Sequence, residues 1–287
     1  MDPLRLALVQ MRPGEAPDAN LEEALAQIEL AAERGAQVIC LPELFLTPYP
    51  CQEEDPARFD LAEPIPGPTS EALAKAAGRH EVALVASLFE RRAAGVYHNT
   101  ALTFDESGHQ VGMYRKMHIP DDPLYYEKFY FAPGDLGFQS TQTRQGRIGT
   151  LVCWDQWFPE AARLTVTAGA ELLLYPTAIG WQFDEGEEED RAQHDAWETI
   201  QRGHAIANGV FVAAVNRVGR EGGIRFWGQS FVADPRGRVI ARASASEPEL
   251  LIVDCDLATV EQTRREWPFL RDRRIDAYGD LTRRIRD

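Results

Sequence analysis

The stretch "RIGTLVCWDQWFPEAARLTVTAGAELLLYP" (147–176) decides the fold class. Both of its ends are short apolar runs, which are typical of buried strands. Its middle predicts a helix that begins at Pro159, where the missing N–H does no harm, and ends at Gly169. A strand, a helix and a second strand follow one another within this stretch, which indicates an α/β unit.

The same alternation continues on both sides of this unit. Helices are predicted at 20–35, with Asn20 as the N-cap, at 70–80 and at 191–208. Further strands are predicted at 4–10, 36–44, 82–90, 97–105, 209–217 and 249–257. The stretches 97–116 and 227–243 have the pattern of hairpins, so the sheets cannot be wholly parallel. The chain is therefore expected to be a layered α/β protein, a single domain over 1–287.

The composition excludes some classes of partner. The 287 residues carry a formal net charge of −15, with 45 acidic and 30 basic residues. Nucleic acids and anionic membranes both attract a positive field, so neither is an expected partner. An acidic surface suits solubility, and it also favours a cationic small molecule.

Several features predict a cytoplasmic protein. The start "MDPLRLALVQ" lacks the basic and long apolar regions of a signal peptide, and no stretch has the roughly 20 apolar residues of a membrane span. The four cysteines, at 40, 51, 153 and 255, form no CxxC pair. Cysteines within apolar runs usually behave as small hydrophobic side chains, so we expect reduced thiols.

Three chemically active residues share one context. Glu43, Lys116 and Cys153 each lie where an apolar strand gives way to a loop. In layered α/β folds, strand ends bring side chains from distant parts of the chain into one pocket. A carboxylate, an ammonium group and a thiol together would make a site for acyl transfer.

Each of the three groups has a task in such a reaction. A thiol attacks a carbonyl as the thiolate, which a neighbouring ammonium group favours and a carboxylate produces by accepting the proton. Lys116 and the backbone N–H of Trp154 would then hold the negative oxygen of the tetrahedral intermediate. Taken one by one, the residues leave a structural interpretation open. Cys153 is then a packed hydrophobic residue, Glu43 a solvated strand end and Lys116 a surface charge.

Longer segments around these residues resemble a known family. "LPELF" around Glu43, "YRKMHIP" around Lys116 and "CWDQWFPEAAR" from Cys153 are similar to the three signature segments of the nitrilase, or carbon–nitrogen hydrolase, superfamily. The resemblance implies that these residues are a catalytic triad, with Glu127 as an assisting second glutamate. It also implies a four-layer αββα sandwich with two mixed sheets, a homodimer or larger homo-oligomer, and no metal or organic cofactor.

The resemblance extends to the substrate. "MHIPDDPLYYEKFYFAPGD" (117–135) is most similar to the matching segment of N-carbamoylputrescine amidohydrolases, which act on a ureido group with a cationic tail. A cationic substrate needs carboxylate partners, and Asp121, Asp122 and the acidic loop Asp184 to Asp190 are the candidates. A solvated loop is the alternative interpretation of that acidic run. The expected substrate-contacting residues are Asp121, Asp122, Tyr125, Trp157 and Thr177.

Other interpretations stay open. The chain has the residues of another amidase of the superfamily, with an N-carbamoyl amino acid, an ω-amide or a nitrile as substrate. A catalytically silent binding protein and a thiol redox or metal protein are further alternatives. A stripe of small residues on the 191–208 helix predicts a core or dimer seam, and it comprises Ala192, Ala196, Ile200, Gly203 and Ala207. The arginine-rich tail from about residue 264 is expected to contact a second subunit.

Overall fold

The computed structural model describes residues 3–182 and 186–286, in which helices separate short apolar strands. The helices are α1 (Pro17–Glu33), α2 (Pro68–His80), α3 (Glu127–Tyr130), α4 (Pro159–Thr167), α5 (Glu187–Asn208) and α6 (Ala258–Glu266). The strands are β1 (Leu4–Gln10), β2 (Val38–Cys40), β3 (Ala83–Ala93), β4 (Val96–Phe104), β5 (Gln110–Arg115), β6 (Ser140–Thr143), β7 (Gly146–Thr150), β8 (Leu172–Pro176), β9 (Gly180–Gln182), β10 (Phe211–Val215), β11 (Val218–Glu221), β12 (Ile224–Trp227), β13 (Phe231–Ala233), β14 (Val239–Arg242) and β15 (Glu249–Cys255).

Two six-stranded mixed sheets dominate the structure. The first has the order β15-β1-β2-β3-β4-β5, and the second has the order β14-β13-β10-β8-β7-β6. The central strands of each sheet are parallel, and the outer strands pair antiparallel. Parallel neighbours need a crossover connection, which α1 and α2 supply in the first sheet and α4 and α5 in the second. The expected hairpins are β4–β5 and β13–β14.

The two sheets pack face to face between layers of helices. Leu6 and Leu8 of β1 point into a buried layer that they share with Leu174 of β8. The alternate residue Val9 points the other way, toward Ile28 of α1. Because successive side chains of a strand face opposite sides, a central strand buried on both faces is apolar throughout.

The outer face of the second sheet is covered in the same way. Ala161 of α4 and Trp197 of α5 pack in one cluster with Leu173 and Val212. Helices therefore lie outside each sheet, with the sheet–sheet layer between them. This arrangement confirms the predicted four-layer αββα sandwich.

Some elements differ from the sequence-based expectation. Asn20 is not the N-cap of α1, which begins at Pro17, since proline is well suited to a first helical turn. The Asn20 side chain instead holds the preceding loop, donating to the carbonyls of Gly14 (2.7 Å) and Leu46 (2.9 Å). The predicted strand 36–44 is shorter, since only Val38–Cys40 pairs with its neighbours.

A small third sheet and a further helix were not predicted. The sheet has three strands in the order β11-β12-β9. Its strand β9 has only three residues, too few to show an alternating pattern. Helix α6 escaped prediction because its sequence "ATVEQTRRE" is mostly polar. Across the described ranges, every helix is too short or too polar to cross a bilayer.

Candidate active site

Cys153 lies at a sharp bend between a strand and a helix. Strand β7 ends at Thr150, and a 3-10 helix spans Cys153–Trp157 before α4 begins. The backbone of Cys153 has φ of +41°, in the left-handed region that side chains rarely adopt. The Sγ atom is 3.7 Å from the carbonyl oxygen of Ala178. Such a bend lifts one side chain out of the strand and toward a cavity, as a nucleophile requires.

Glu43 comes from the other sheet, three residues after β2. Its side chain has no exposed surface. Its Oε1 atom accepts hydrogen bonds from the Nδ2 of Asn99 (2.7 Å) and the Nζ of Lys116 (2.9 Å). Its Oε2 atom is buried and has no hydrogen-bond partner within the described part of the chain. One oxygen therefore fixes the orientation of the carboxylate, while the other is free to accept a proton.

Lys116 directly follows β5 and joins two carboxylates. Its Nζ atom is 2.9 Å from Glu43 and 2.7 Å and 2.8 Å from the two oxygens of Glu127, and all three side chains are buried. Glu127 begins α3 and also accepts a hydrogen bond from the hydroxyl of Tyr49 (2.7 Å). The predicted residues Glu43, Lys116 and Glu127 are thus brought together from distant parts of the chain.

The titration of these groups reflects their burial and their shared charges. Burial raises the pKa of the Cys153 thiol well above its ordinary value, and Glu43 raises it further, while Lys116 acts in the opposite sense. The resting group is therefore a thiol and not the thiolate that a neighbouring ammonium alone would favour. Because Glu43, Lys116 and Glu127 all act on this thiol, the four groups form one electrostatic unit.

The pKa values of both Lys116 and Glu127 are raised, although burial acts on them in opposite directions. Burial lowers the pKa of Lys116, but the charges of Glu127 and Glu43 outweigh it and hold the pKa well above its ordinary value. Burial raises the pKa of Glu127 to about 7, although Lys116 opposes that change. Lys116 therefore remains an ammonium group throughout the neutral range, as an oxyanion partner must.

Arg217 fastens the loop that carries Glu43. It follows β10 in the second sheet and is completely buried. Its Nε donates to the carbonyl of Glu43 (3.0 Å), and its guanidinium also donates to the carbonyl oxygens of Leu44 and Thr47. Glu221 accepts from the same guanidinium at 3.0 Å and balances its charge. The sequence analysis did not identify Arg217, whose only signal was an arginine at the end of an apolar strand.

A cavity of about 500 Å³ opens beside Cys153. Cys153 itself lines it, together with Trp154 and the carboxylate-bearing residues Asp122, Glu127 and Glu189. Its apolar wall includes Trp157, Ile179 and Trp227. Within residues 3–182 and 186–286, no lysine, arginine or histidine lines the cavity. The charged side chains among these lining residues are therefore carboxylates, and one of them, Glu127, is bonded to the buried ammonium group of Lys116.

The predicted substrate-contacting residues divide into two groups. Asp122, Tyr125 and Trp157 line the cavity, and the hydroxyl of Tyr125 is held by the backbone of Gly180. Asp121 is exposed and lies outside the cavity lining. Thr177 is buried and also outside the lining, because its hydroxyl donates to the carbonyl of Tyr175 (2.8 Å). Thr177 instead links the sheets, since its own carbonyl accepts from the Glu43 amide (3.4 Å).

The acidic loop is partly described. Asp184 and Glu185 lie outside the described residues, whereas residues 187–190 form the first turn of α5. Glu189 in that turn lines the cavity. Asp190 accepts from Arg225 (3.0 Å), and its carbonyl accepts from the indole of Trp181 (2.7 Å). One carboxylate of the acidic run is therefore at the cavity and the next one anchors the turn.

The stripe of small residues on α5 does not lie in the core of this chain. Its first two members, Ala192 and Ala196, line the cavity, contrary to the expectation that the whole stripe is a packing seam. The remaining three, Ile200, Gly203 and Ala207, are partly exposed. The inward face of α5 is a different one, and it carries Trp197 and His204.

No cluster of three or more histidine, cysteine, aspartate or glutamate side chains with the arrangement of a metal site was found in the described ranges.

Comparison with known proteins agrees with this geometry. The family described as carbon-nitrogen hydrolase matches residues 5–265 of the chain. The chain belongs to the carbon–nitrogen hydrolase family. It is an enzyme of that family, and the nitrilase-superfamily resemblance of its motifs is confirmed.

Three similar proteins illustrate the relationship. The N-carbamoylputrescine amidase of Oryza sativa subsp. japonica is 39% identical, over 96% of this chain and 93% of its own. The citrullinase of Francisella tularensis is 38% identical, over 98% and 99% of the two chains. The crystal structure of a carbon-nitrogen hydrolase from Helicobacter pylori G27 has a TM-score of 0.95 and 46% identity, covering 99% of both chains. Identity to the two enzymes is nearly equal, so the choice of substrate depends on the cavity.

Proposed function

We propose that the chain hydrolyses N-carbamoylputrescine to putrescine, carbon dioxide and ammonia. The observation that carries this proposal is the charge of the cavity, since Asp122 and Glu189 line it and no lysine, arginine or histidine of the described residues does. A buried or half-buried ammonium group needs carboxylate partners, and these residues supply them. Similarity to the N-carbamoylputrescine amidases supports the same choice. The reaction would belong to polyamine biosynthesis.

In the first step, Glu43 acts as the general base. Its unpartnered Oε2 atom accepts the proton of the Cys153 thiol, and the sulfur attacks the ureido carbonyl. Because burial raises the pKa of the Cys153 thiol, the attack needs a base to accept this proton. Asn99 and Lys116 hold the other oxygen of Glu43 and so keep the base aligned.

The tetrahedral intermediate carries a negative oxygen. The Lys116 ammonium group and the backbone N–H of Trp154 are the donors that would stabilise it. Loss of one such donor typically costs about 2.7–4 kcal/mol in the activation free energy. Glu127 shares the charge of Lys116 and, with Tyr49, fixes the position of the ammonium group.

The second half of the reaction releases the product. The proton on Glu43 passes to the leaving nitrogen, ammonia departs, and an S-(N-alkylcarbamoyl) cysteine remains. Glu43 then takes a proton from water, and the hydroxide adds to the carbonyl of this intermediate. The thiolate leaves and recovers its proton, and the released carbamic acid loses carbon dioxide to give the free amine. No cofactor is part of this proposal.

Ammonia release across a set of substrates tests the proposal. The set is N-carbamoylputrescine, citrulline, N-carbamoyl-β-alanine, glutaramate and a simple nitrile, with Cys153→Ala as the inactive control. We expect the highest kcat/KM with N-carbamoylputrescine. A higher value with N-carbamoyl-β-alanine or glutaramate, which are anions, would contradict it. Turnover by Cys153→Ala would overturn the assignment of the nucleophile.

Citrulline is the second candidate, because a citrullinase is almost equally similar. It carries a carboxylate beside its amine, which the acidic cavity would disfavour. Glu189→Gln separates the two cases. It should raise the KM for N-carbamoylputrescine by about tenfold, the equivalent of about 1.4 kcal/mol, and leave that for citrulline unchanged or lower. Glu188→Gln, one residue away and outside the cavity lining, is the matched control.

A homo-oligomer is also part of the proposal. Leu164 of α4 (49% exposed) and Ile206 of α5 (37% exposed) lie on the outer helix layer, and the tail exposes Ile275 (74%) and Leu281 (65%). Such apolar surface is typical of a subunit contact. We infer one domain whose tail, from about residue 264, reaches a second subunit. Light scattering coupled to size exclusion would give a monomeric mass if this inference is wrong.

A cytoplasmic location completes the proposal. All four cysteines are buried and free of disulfides, which suits a reducing compartment. Neither nucleic acid nor membrane is a proposed partner, since the net charge of −15 repels both.

A further inference from the structure

A second buried carboxylate, that of Asp155, lies two residues after the nucleophile. It has no exposed surface and accepts four hydrogen bonds. Its Oδ2 accepts from the hydroxyl of Tyr114 (2.8 Å) and the backbone N–H of Val152 (3.0 Å). Its Oδ1 accepts from the Nδ1 of His118 (2.7 Å) and the backbone N–H of the same residue (3.1 Å).

These donors come from the two segments that carry the catalytic groups. Tyr114 lies two residues before Lys116, and His118 lies two residues after it. Val152 directly precedes Cys153. A single carboxylate therefore holds the segment of the ammonium group on both sides and joins it to the segment of the thiol, although 37 residues separate Lys116 from Cys153.

His118 is itself held in place by aromatic packing. Its ring stacks on that of Phe158 at 3.7 Å between centroids, with 5° between the planes. Phe158 directly precedes α4, so the ring pair ties the start of that helix to the same carboxylate. The imidazole has one orientation available, with Nδ1 toward Asp155.

The bend at Cys153 needs such support. A cysteine at φ of +41° is strained, and strained backbone persists only where surrounding contacts fix it. We propose that Asp155 is a positioning residue that locks the strained Cys153 bend in register with Lys116. Asp155 does not line the cavity, so it acts through these residues and not on the substrate. The proposal rests on Cys153 being the nucleophile.

The main test is Asp155→Asn. An amide NH₂ group cannot accept a hydrogen bond, so two of the four donors lose their partner. We expect kcat to fall by about 10²-fold with KM nearly unchanged, because a misplacement of about 1 Å has an effect of that size. The rate of Cys153 alkylation by iodoacetamide at fixed pH should fall as well, and this readout does not depend on the choice of substrate.

A matched control separates positioning from stability. Asp234 is a buried carboxylate in the turn between β13 and β14, where it accepts from the backbone N–H groups of Arg236 (2.9 Å) and Arg238 (3.0 Å). Asp234→Asn should lower the Tm and leave both kcat and the alkylation rate unchanged. If Asp155→Asn changes kcat and alkylation no more than this control does, the proposal is overturned.

Tyr114→Phe keeps the proposal testable if Asp155→Asn does not fold. It removes one of the four hydrogen bonds and changes no other atom. We expect a smaller fall in kcat and in the alkylation rate, again with KM unchanged. A rise in KM with unchanged kcat would contradict the positioning role. Failure of the substrate assignment would appear differently, as altered kcat/KM ratios among substrates with normal alkylation of Cys153.

Discussion

Arg115 and Lys116 are adjacent in the chain, yet their cations serve two different clusters. Arg115 donates to Glu90 through Nε (2.7 Å) and Nη2 (2.6 Å), and it donates to Asp135 through Nη1 (2.9 Å). Lys116 donates to two other carboxylates, those of the catalytic site. In both clusters a buried cation bonds two carboxylates. Glu90, on β3, is buried, whereas the side chain of Asp135 is 43% exposed.

The two clusters differ in how completely the carboxylate oxygens are hydrogen-bonded. Both oxygens of Glu90 are occupied, since Thr100 also donates to it (2.6 Å). In the Lys116 cluster, the Oε2 of Glu43 has no partner. A buried acceptor without a hydrogen-bond partner costs free energy. Several buried side-chain atoms of the described residues lack a partner, and the Oε2 of Glu43 is the one that belongs to the Glu43, Lys116 and Cys153 triad. This unpartnered oxygen distinguishes the Lys116 cluster from the Arg115 cluster.

The largest expected effect is the loss of kcat when the unpartnered oxygen of Glu43 is replaced in Glu43→Gln. Glu43→Gln keeps an oxygen for Asn99 and Lys116 but places an NH₂ group where a proton must be accepted. We expect kcat to fall by about 10²–10⁴-fold, the usual contribution of a general base. Steady-state ammonia release measures it. An active Glu43→Gln enzyme would remove the functional distinction between the clusters.

Substitution of Glu90 in the Arg115 cluster should lower the free energy of unfolding and leave kcat nearly unchanged. Glu90→Gln leaves the buried Arg115 guanidinium with a weaker partner, and removing one member of a buried ion pair costs about 3 kcal/mol or more. Urea unfolding measures the free energy, and Asp135 limits the loss because it still accepts from Arg115. A kcat loss as large as that of Glu43→Gln would contradict the prediction.

The pH dependence of stability should have opposite signs in the two clusters. Burial raises the pKa of Glu127 to about 7, so its contribution to stability is present at low pH and is lost as pH rises through 7. The pKa of Glu90 is lowered, because hydrogen bonds from Arg115 and Thr100 outweigh burial. Its contribution is present above its ordinary pKa and is lost as pH falls through the lowered value.

A comparison with Glu127→Gln isolates the first effect. Between pH 5 and 8, the free energy of unfolding of the wild type should fall relative to that of Glu127→Gln by about 1–3 kcal/mol. Denaturant titrations at several pH values measure the difference. A difference that is constant or that grows with pH would show that Glu127 is not held with a raised pKa.

The smallest expected effect sharpens the comparison. Thr100→Val removes only the hydroxyl that donates to Glu90. The unfolding free energy should fall by about 1 kcal/mol, the net value of one hydrogen bond. Substrate turnover should stay unchanged, and a clear loss of kcat would indicate that the two clusters are coupled.

Much of the fold could be predicted because its signals are local. The strand Leu172–Pro176 is a continuous apolar run, Leu4–Gln10 is mostly apolar, and both α2 and α4 begin with proline. The triad residues could be identified because each follows a strand, where side chains converge. Their motifs are also long enough to resemble one family.

The supporting residues could not be found in this way. Asn99 lies within the strand β4, Tyr49 follows the "LPELF" segment by four residues without belonging to it, and Arg217 lies far from the motifs in sequence. Asn99 reaches Glu43 from another strand of the same sheet, whereas Arg217 reaches the Glu43 loop from the second sheet, and neither contact has a local sequence signal. Thr177 was wrongly predicted to contact the substrate. It lies at a strand end, as cavity residues often do, but its hydroxyl donates to the backbone carbonyl of Tyr175.

The left-handed backbone at Cys153 has an evolutionary consequence. Glycine would adopt φ of +41° without the penalty of about 1–2 kcal/mol that a side chain brings there. Selection for thermal stability therefore favours glycine at position 153, whereas selection for turnover favours cysteine. In a lineage that no longer needs the activity, we expect glycine to replace cysteine at this position while the surrounding fold is retained.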